Sequence, residues 1–232
     1  MFEIKNLTAG YSNESSAIHN INISIPKNEI CSIVGSNGAG KTTLLKSIMG
    51  LMPSKSGEII FDGQDISKLD SEAISQLGVA YVPQGRMIFP YLSVEENLLL
   101  GCEVRKMNLK KALEIGYDYF PDLKEIRKRK GGMLSGGQQQ QLAIARMLVI
   151  DPKMILLDEP AEGIQPNVVQ EIGRILQKIA LDLNVTVLLV EQFVSFAINL
   201  SQSYYFLQGG EITKESRVTK DNVHSIVKSI KL

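Results

Sequence analysis

Eight consecutive residues constrain this chain more than any others. Gly35-Ser36-Asn37-Gly38-Ala39-Gly40-Lys41-Thr42 satisfies the pattern GxxxxGK[ST] in full. The apolar run Ile30–Val34 precedes it and a helical stretch, Thr42–Met49, follows. A strand, a glycine-rich turn and a helix in that order form a cradle for phosphate. Glycines let backbone amides turn inward, and the helix N-terminus adds partial positive charge. Lys41 can reach the terminal phosphates of a nucleotide, the Thr42 hydroxyl can ligate Mg²⁺, and Thr43 continues the same turn.

A second segment supplies the other half of a hydrolysis site. Met154-Ile155-Leu156-Leu157-Asp158-Glu159 reads as an apolar strand ending in two carboxylates. Asp158 is placed to hold Mg²⁺ through water, and Glu159 to orient and deprotonate an attacking water.

Composition narrows the setting. The 232 residues are 44% hydrophobic and 22% charged, enough for one full core, so disorder and a disulfide-held mini-fold are poor readings. Twenty-five basic residues against 25 acidic ones give zero net charge, which argues against bulk electrostatic coating of nucleic acid. Two cysteines, Cys31 and Cys102, without a CxxC, build neither a zinc site nor a disulfide framework. Apolar runs such as Val185–Val190 fall far short of the roughly 18 residues a membrane helix needs. No signal peptide is evident, so a cytoplasmic protein working at a membrane through partners is expected.

Periodicity sketches the architecture. Ile21, Ile23 and Ile25 alternate with polar residues as in a half-buried strand. Glu58–Phe61, Asp62-Gly63 and Gln64–Ile66 read as strand, turn and strand, while Ile30–Val34 and Val79–Val82 suit buried strands. Ser93-Val94-Glu95-Glu96 is a capping box that opens a helix through Leu100. Mostly helical spacing then runs to Asp151-Pro152. Strand Met154–Leu157, a helix over about Asn167–Leu183 behind Pro166, and strand Val185–Val190 alternate as βαβ units do. Gly209-Gly210 separates Tyr204–Leu207 from Glu211–Thr213 as a hairpin, and Val223, Ile226, Val227 and Ile230 mark a short docked helix. Lys124, Arg127, Lys128, Arg129 and Lys130 read as a solvated helix face. The expectation is an α/β nucleotide-type core with a helical insertion.

Leu134-Ser135-Gly136-Gly137-Gln138 gives the phosphate loop a family. It resembles the LSGGQ signature of ABC ATPases, with Ser135 23 residues before Asp158. Ser135 and the Gly136 and Gly137 amides open a helix whose positive end is a second anion-binding device. The resemblance covers essentially the whole chain. It implies a P-loop NTPase of ABC-ATPase type: a mixed-sheet RecA-like core, an N-terminal antiparallel β part, and an inserted α-helical subdomain at about 86–150 within one 1–232 domain. It further implies a head-to-tail dimer sandwiching two ATP molecules, so that Ser135, Gly136, Gly137 and Gln138 act on the partner's nucleotide. By the same resemblance Tyr11 stacks on adenine, and Gln84, 43 residues after Lys41, touches Mg²⁺ and moves with the insertion.

Two departures narrow it further. Val190-Glu191-Gln192-Phe193 places Gln192 where the family carries its switch histidine, and neither His19 nor His224 fits that place. Gln192 can hydrogen-bond a γ-phosphate but cannot become cationic, leaving more of the load to Glu159. Ala161-Glu162-Gly163-Ile164-Gln165 replaces the usual Ser-Ala-Leu-Asp. Glu191-Gln192 looks like the ATPases of branched-chain amino acid importers and their relatives. Val82-Pro83-Gln84-Gly85-Arg86, Gln138–Gln141 and Glu162–Pro166 resemble the second ATP-binding subunit of urea importers more closely. Amino acid importer subunits typically read Pro-Glu-Gly at the first of these places and Gly-Leu-Ala-Pro at the third. The resemblance implies an ATPase on the inner face of the membrane energising uptake of urea, or alternatively of branched-chain amino acids. It would work with a second ATPase subunit (a paralogue or a second copy), integral permease subunits and, indirectly, a solute-binding protein. A soluble non-transport ABC ATPase and a regulatory module that binds ATP with little hydrolysis are the rival readings.

Overall fold

Alternation of side chains builds the first layer. In the computed structural model, which describes residues 1–11, 15–102 and 108–230, β2 (Ile18–Ile25) buries Ile18, Ile21, Ile23 and Ile25 and exposes the residues between. It pairs antiparallel with β1 (Phe2–Ala9), which pairs in turn with β4 (Ser54–Phe61). Asp62 and Gly63, at φ 50° and 85°, make a turn with two left-handed residues into the short β5 (Gln64–Asp65). This sheet has the order β2-β1-β4-β5.

The second sheet has the order β10-β9-β3-β8-β7-β6, formed by β3 (Ile30–Val34), β6 (Val79–Val82), β7 (Met154–Asp158), β8 (Thr186–Glu191), β9 (Ser203–Gln208) and β10 (Glu211–Arg217). All neighbours are parallel except β10, an antiparallel edge strand on β9. The central strands β3, β7 and β8 are buried along their whole length, as parallel strands covered on both faces must be.

Alternate residues of those strands feed two cores. Ile33, Leu188, Val190, Met154 and Leu156 pack with the antiparallel sheet, α1 (Lys41–Ile48) and Ile74 of α2 (Ser71–Leu77). Val34, Val187, Leu189, Ile155 and Leu157 face the opposite layer. That layer contains α3 (Val94–Leu99), α4 (Leu109–Tyr119), α5 (Pro121–Glu125), α6 (Gly136–Leu148), α7 (Pro166–Asp182), α8 (Val194–Leu200) and α9 (Val223–Ser229). Within the insertion α3, α4 and α6 pack on one another, and α6 also rests on β6.

The capping box at Ser93 is complete: its hydroxyl accepts from Glu96 N, and Glu96 accepts from Ser93 N. The basic cluster is solvated as expected, but only Lys124 is helical; Arg127, Lys128 and Arg129 form the turn after α5, where Ile126 caps the helix. The stretch from 86 to 92 is likewise irregular rather than helical. Cys31 and Cys102 are buried and not disulfide-bonded, and burial pushes the Cys31 thiol up to about 12, which makes it inert packing.

Candidate functional site: a phosphate cleft at the carboxyl ends of the parallel strands

β3 delivers the phosphate loop, β7 the carboxylates and β8 the switch segment, all at their carboxyl ends, where open parallel sheets hold ligands. Gly38 and Gly40 adopt φ 78° and 107°. At Gly40 a Cβ would lie 2.6 Å from Ile18 Cγ2 and 2.8 Å from the Ala17 carbonyl, so only glycine fits. Gly38 faces open space. Gly40 also caps α1 without any side-chain bond, so the helix opens on bare backbone.

A cleft of about 360 Å³ lies over this loop. Tyr11, Asn37, Gly38, Gly40, Lys41, Thr42, Thr43, Gln84 and Glu159 line it. Tyr11 is exposed, and its hydroxyl lies 3.5 Å from Thr43 Oγ1. Lys41 is almost fully buried: Nζ donates to the Gly35 and Ser36 carbonyls at 2.8 and 2.9 Å and pairs with Glu159 Oε1 at 2.9 Å. Ala39 sits beneath, its N–H bonded to the Ser36 carbonyl. The ammonium is therefore held where it can move from loop carbonyls to phosphate oxygens.

Asp158 joins the cleft through Thr42, whose hydroxyl donates to Oδ1 at 3.2 Å. Tyr81 donates to the other oxygen, Oδ2, at 3.1 Å. Burial pushes the Asp158 carboxyl above the usual carboxylate range; Thr42 and Tyr81 pull it back, Glu159 pushes it up and Lys41 pulls it down. Burial first, then the adjacent Asp158 charge, raises the Tyr81 phenol and keeps it a neutral donor. A hydroxyl and a carboxylate at this distance are hard oxygens of the kind Mg²⁺ takes, and the ion is usually held by one or two carboxylates plus substrate phosphates. Thr42 and Asp158 would hold it, with Gln84 at the cleft edge. When bound, Mg²⁺ neutralises charge developing on the phosphate oxygens.

Glu159 stands at φ 48°, a left-handed conformation that costs a non-glycine residue on the order of 1–3 kcal/mol. Its N–H donates to the Val190 carbonyl at 3.0 Å, which fixes that backbone. In this conformation its carboxylate pairs with Lys41 and lines the cleft, within reach of a ligand there.

Two expected groups lie apart from this cleft. Ser135 forms a capping box with Gln138 at the start of α6, and neither they nor Gly136 and Gly137 line the cleft. Gln192 is exposed beyond β8 and is not in the lining either. The helix start at Ser135 therefore opens outside the cleft.

Sequence reasoning missed Tyr81, the one polar tip in β6, and the partners of Gln84. Gln84 Nε2 donates to Glu162 Oε2 at 3.0 Å, and Arg86 donates to the Glu162 carbonyl and to Gln139 Oε1 at 3.1 and 3.3 Å. The segment after Gln84, the loop after Glu159 and the signature helix are therefore tied together.

The ABC transporter family profile matches residues 18–162, from β2 through the loop after Glu159. The chain belongs to the ABC transporter family. It is an ATP-binding, ATP-hydrolysing subunit of α/β RecA-like fold, with ATP and Mg²⁺ as its ligands. The high-affinity branched-chain amino acid transport ATP-binding protein BraG of Pseudomonas aeruginosa is 39% identical over 207 residues, covering 87% of each chain. The probable branched-chain amino acid transport ATP-binding protein LivF of Archaeoglobus fulgidus is also 39% identical, covering 91% of this chain and 90% of that one. The lipopolysaccharide export ATP-binding protein LptB of Escherichia coli K12 is 32% identical, covering 93% and 90%. Among solved structures, a dimeric ATP-binding cassette in a post-hydrolysis state with ADP and Pi superposes with a TM-score of 0.84 at 28% identity, covering 94% of this chain and 99% of that one.

Proposed function

We propose that this cassette is the ATPase of an importer for branched-chain amino acids, working as one of two ATP-binding subunits beneath separate permease subunits. The branched-chain amino acid relatives at 39% identity carry the substrate class, above the export ATPase at 32%. In this reading Tyr11 stacks on adenine, the phosphate loop and Lys41 hold the phosphates, Thr42, Asp158 and Gln84 hold Mg²⁺, and Glu159 orients water. Ser135, Gly136, Gly137 and Gln138 complete the partner's site, and Gln192 contacts the γ-phosphate. Catalysis is positioning and electrostatic stabilisation, as for phosphoryl transfer generally.

Permease docking has a surface to use. An apolar groove of about 1010 Å³ runs between the core and the insertion, lined by Met49, Leu51, Met87, Phe89 and Leu100 among others. Leu51, Met87, Phe89 and Leu100 are exposed, and such an apolar cluster supports docking there. Among the described residues no helix is long and apolar enough to cross a membrane. We therefore place the subunit on the inner face of the membrane, held by its permeases.

The urea reading is kept as second by one contact. Gln84 donates to Glu162, whereas the glutamate typical of amino acid importers at that place would set two carboxylates against each other. Uptake of labelled leucine and of labelled urea by cells with and without the gene decides between them. Loss of leucine uptake alone is expected; loss of urea uptake alone would replace the first reading by the second.

A further inference from the structure

Glu191 is a buried carboxylate that the mechanism above does not use. We propose that it is the positioning residue of the hydrolysis site, clamping the loop after Glu159 to the loop that carries Gln192. The inference rests on the ATPase reading and adds to it a group outside the lining of the cleft.

The residue ends β8, between its parallel neighbours β3 and β7, and is 2% exposed. One carboxylate oxygen accepts from Ala161 N at 2.8 Å. The other accepts from Gln192 N at 3.2 Å and Phe193 N at 3.3 Å. Its main-chain carbonyl accepts from Gly35 N, the first amide of the phosphate loop, at 3.2 Å. Phosphate loop, water-orienting loop and switch loop therefore meet on one residue. A carboxylate brings two acceptor oxygens, one for each of the last two loops; a single hydroxyl or amide oxygen cannot serve both in the same way.

Electrostatics argue that this arrangement serves more than packing. Burial pushes the Glu191 carboxyl up to about 7; the Ala161 and Phe193 amides pull it down, Glu159 pushes it up, and the Gln192 amide pulls it down. Glu159 is the charged side chain that acts on it, and Glu159 is itself paired with Lys41. A buried carboxylate that feels a second one is costly, and a solvent-filled turn would avoid the cost. What the arrangement supplies is a fixed path for residues 160–161, and with it the left-handed backbone that aims Glu159. A glutamine in the switch position brings no cation, so rigid aim of Glu159 matters more in this cassette.

Glu191→Gln keeps shape and removes one acceptor oxygen. We would measure Mg-ATP turnover, equilibrium binding of a fluorescent ATP analogue, and hydrogen exchange of the segments 160–162 and 192–194. The expected result is a kcat loss of about tenfold or more with analogue affinity within about twofold. Exchange should rise in both segments together and stay unchanged in β3. A kcat within about twofold of wild type, or faster exchange in one loop only, would overturn the clamp. A parallel loss of affinity and thermal stability would also overturn it, leaving a merely structural glutamate. If the wild-type chain bound no ATP, the ATPase reading itself would fail, while the exchange pattern would still decide whether the clamp exists.

Discussion

At the scale of single residues, the site is a set of largely buried polar groups held against one another. Tyr81 shows the energetics. Its hydroxyl is one of two donors to Asp158, and removing it leaves a buried carboxylate oxygen short of a partner. Tyr81→Phe is expected to lower unfolding free energy by about 1–3 kcal/mol in denaturant titrations, with unchanged secondary structure. Glu191 makes a pH prediction with a definite sign. It titrates at about 7 in the fold against 4.5 for an unperturbed glutamate, so between those values the folded protein holds a proton the unfolded chain has released. Its contribution to stability is full below the lower value and is lost as pH rises through about 7. Melting curves from about pH 5 to about pH 8 should therefore show a larger fall in stability for wild type than for Glu191→Gln. Equal slopes would refute the assignment. The sequence shows Tyr81 as one polar letter in an apolar strand and Glu191 as half of the Glu191-Gln192 pattern, but not the partners of either, which meet only when separate strands come together.

At the scale of elements, strand length and glycine placement do most of the specifying. Ile30–Val34 and Val79–Val82 form strands over the very residues whose apolar runs mark them, since a strand buried on both faces leaves an unbroken signal. The helices Ser71–Leu77 and Val194–Leu200 are not legible as helices: the first offers only Ala73, Ile74 and Leu77 as apolar residues, and in the second Val194, Phe196, Ile198 and Leu200 alternate as a strand would. Asn6, at φ 50°, sits where the register of β1 shifts, which blurs the alternation from Phe2 to Ala9. Gly137 in the signature is legible as family pattern but has a local reason too. A Cβ there would lie 2.7 Å from Val168 Cγ1, so α6 and α7 approach only because that hydrogen is small. Gly137→Ala should cost about 1–3 kcal/mol by overpacking, read as a lower melting temperature. A stability equal to wild type would mean the helices have slack.

At the scale of the whole molecule, the two glycine-opened helix starts proposed as anion-binding devices lie in different places. The phosphate loop opens on the cleft with Glu159, whereas the Ser135 helix end lies outside that lining. Sequence pattern located both devices, because each needs glycines and a helix start in a fixed order. It could not show that Gln84, Arg86, Glu162 and Gln139 tie the insertion to the core, since those contacts join residues 53 to 78 positions apart. The central claim is that the cleft hydrolyses ATP through Glu159, and Mg-ATP turnover of the purified chain beside Glu159→Gln, with size exclusion in Mg-ATP, tests it most directly. The account predicts that the substitution lowers turnover by about 10²–10⁴-fold and leaves an ATP-trapped dimer. Turnover that survives the substitution unchanged would contradict it.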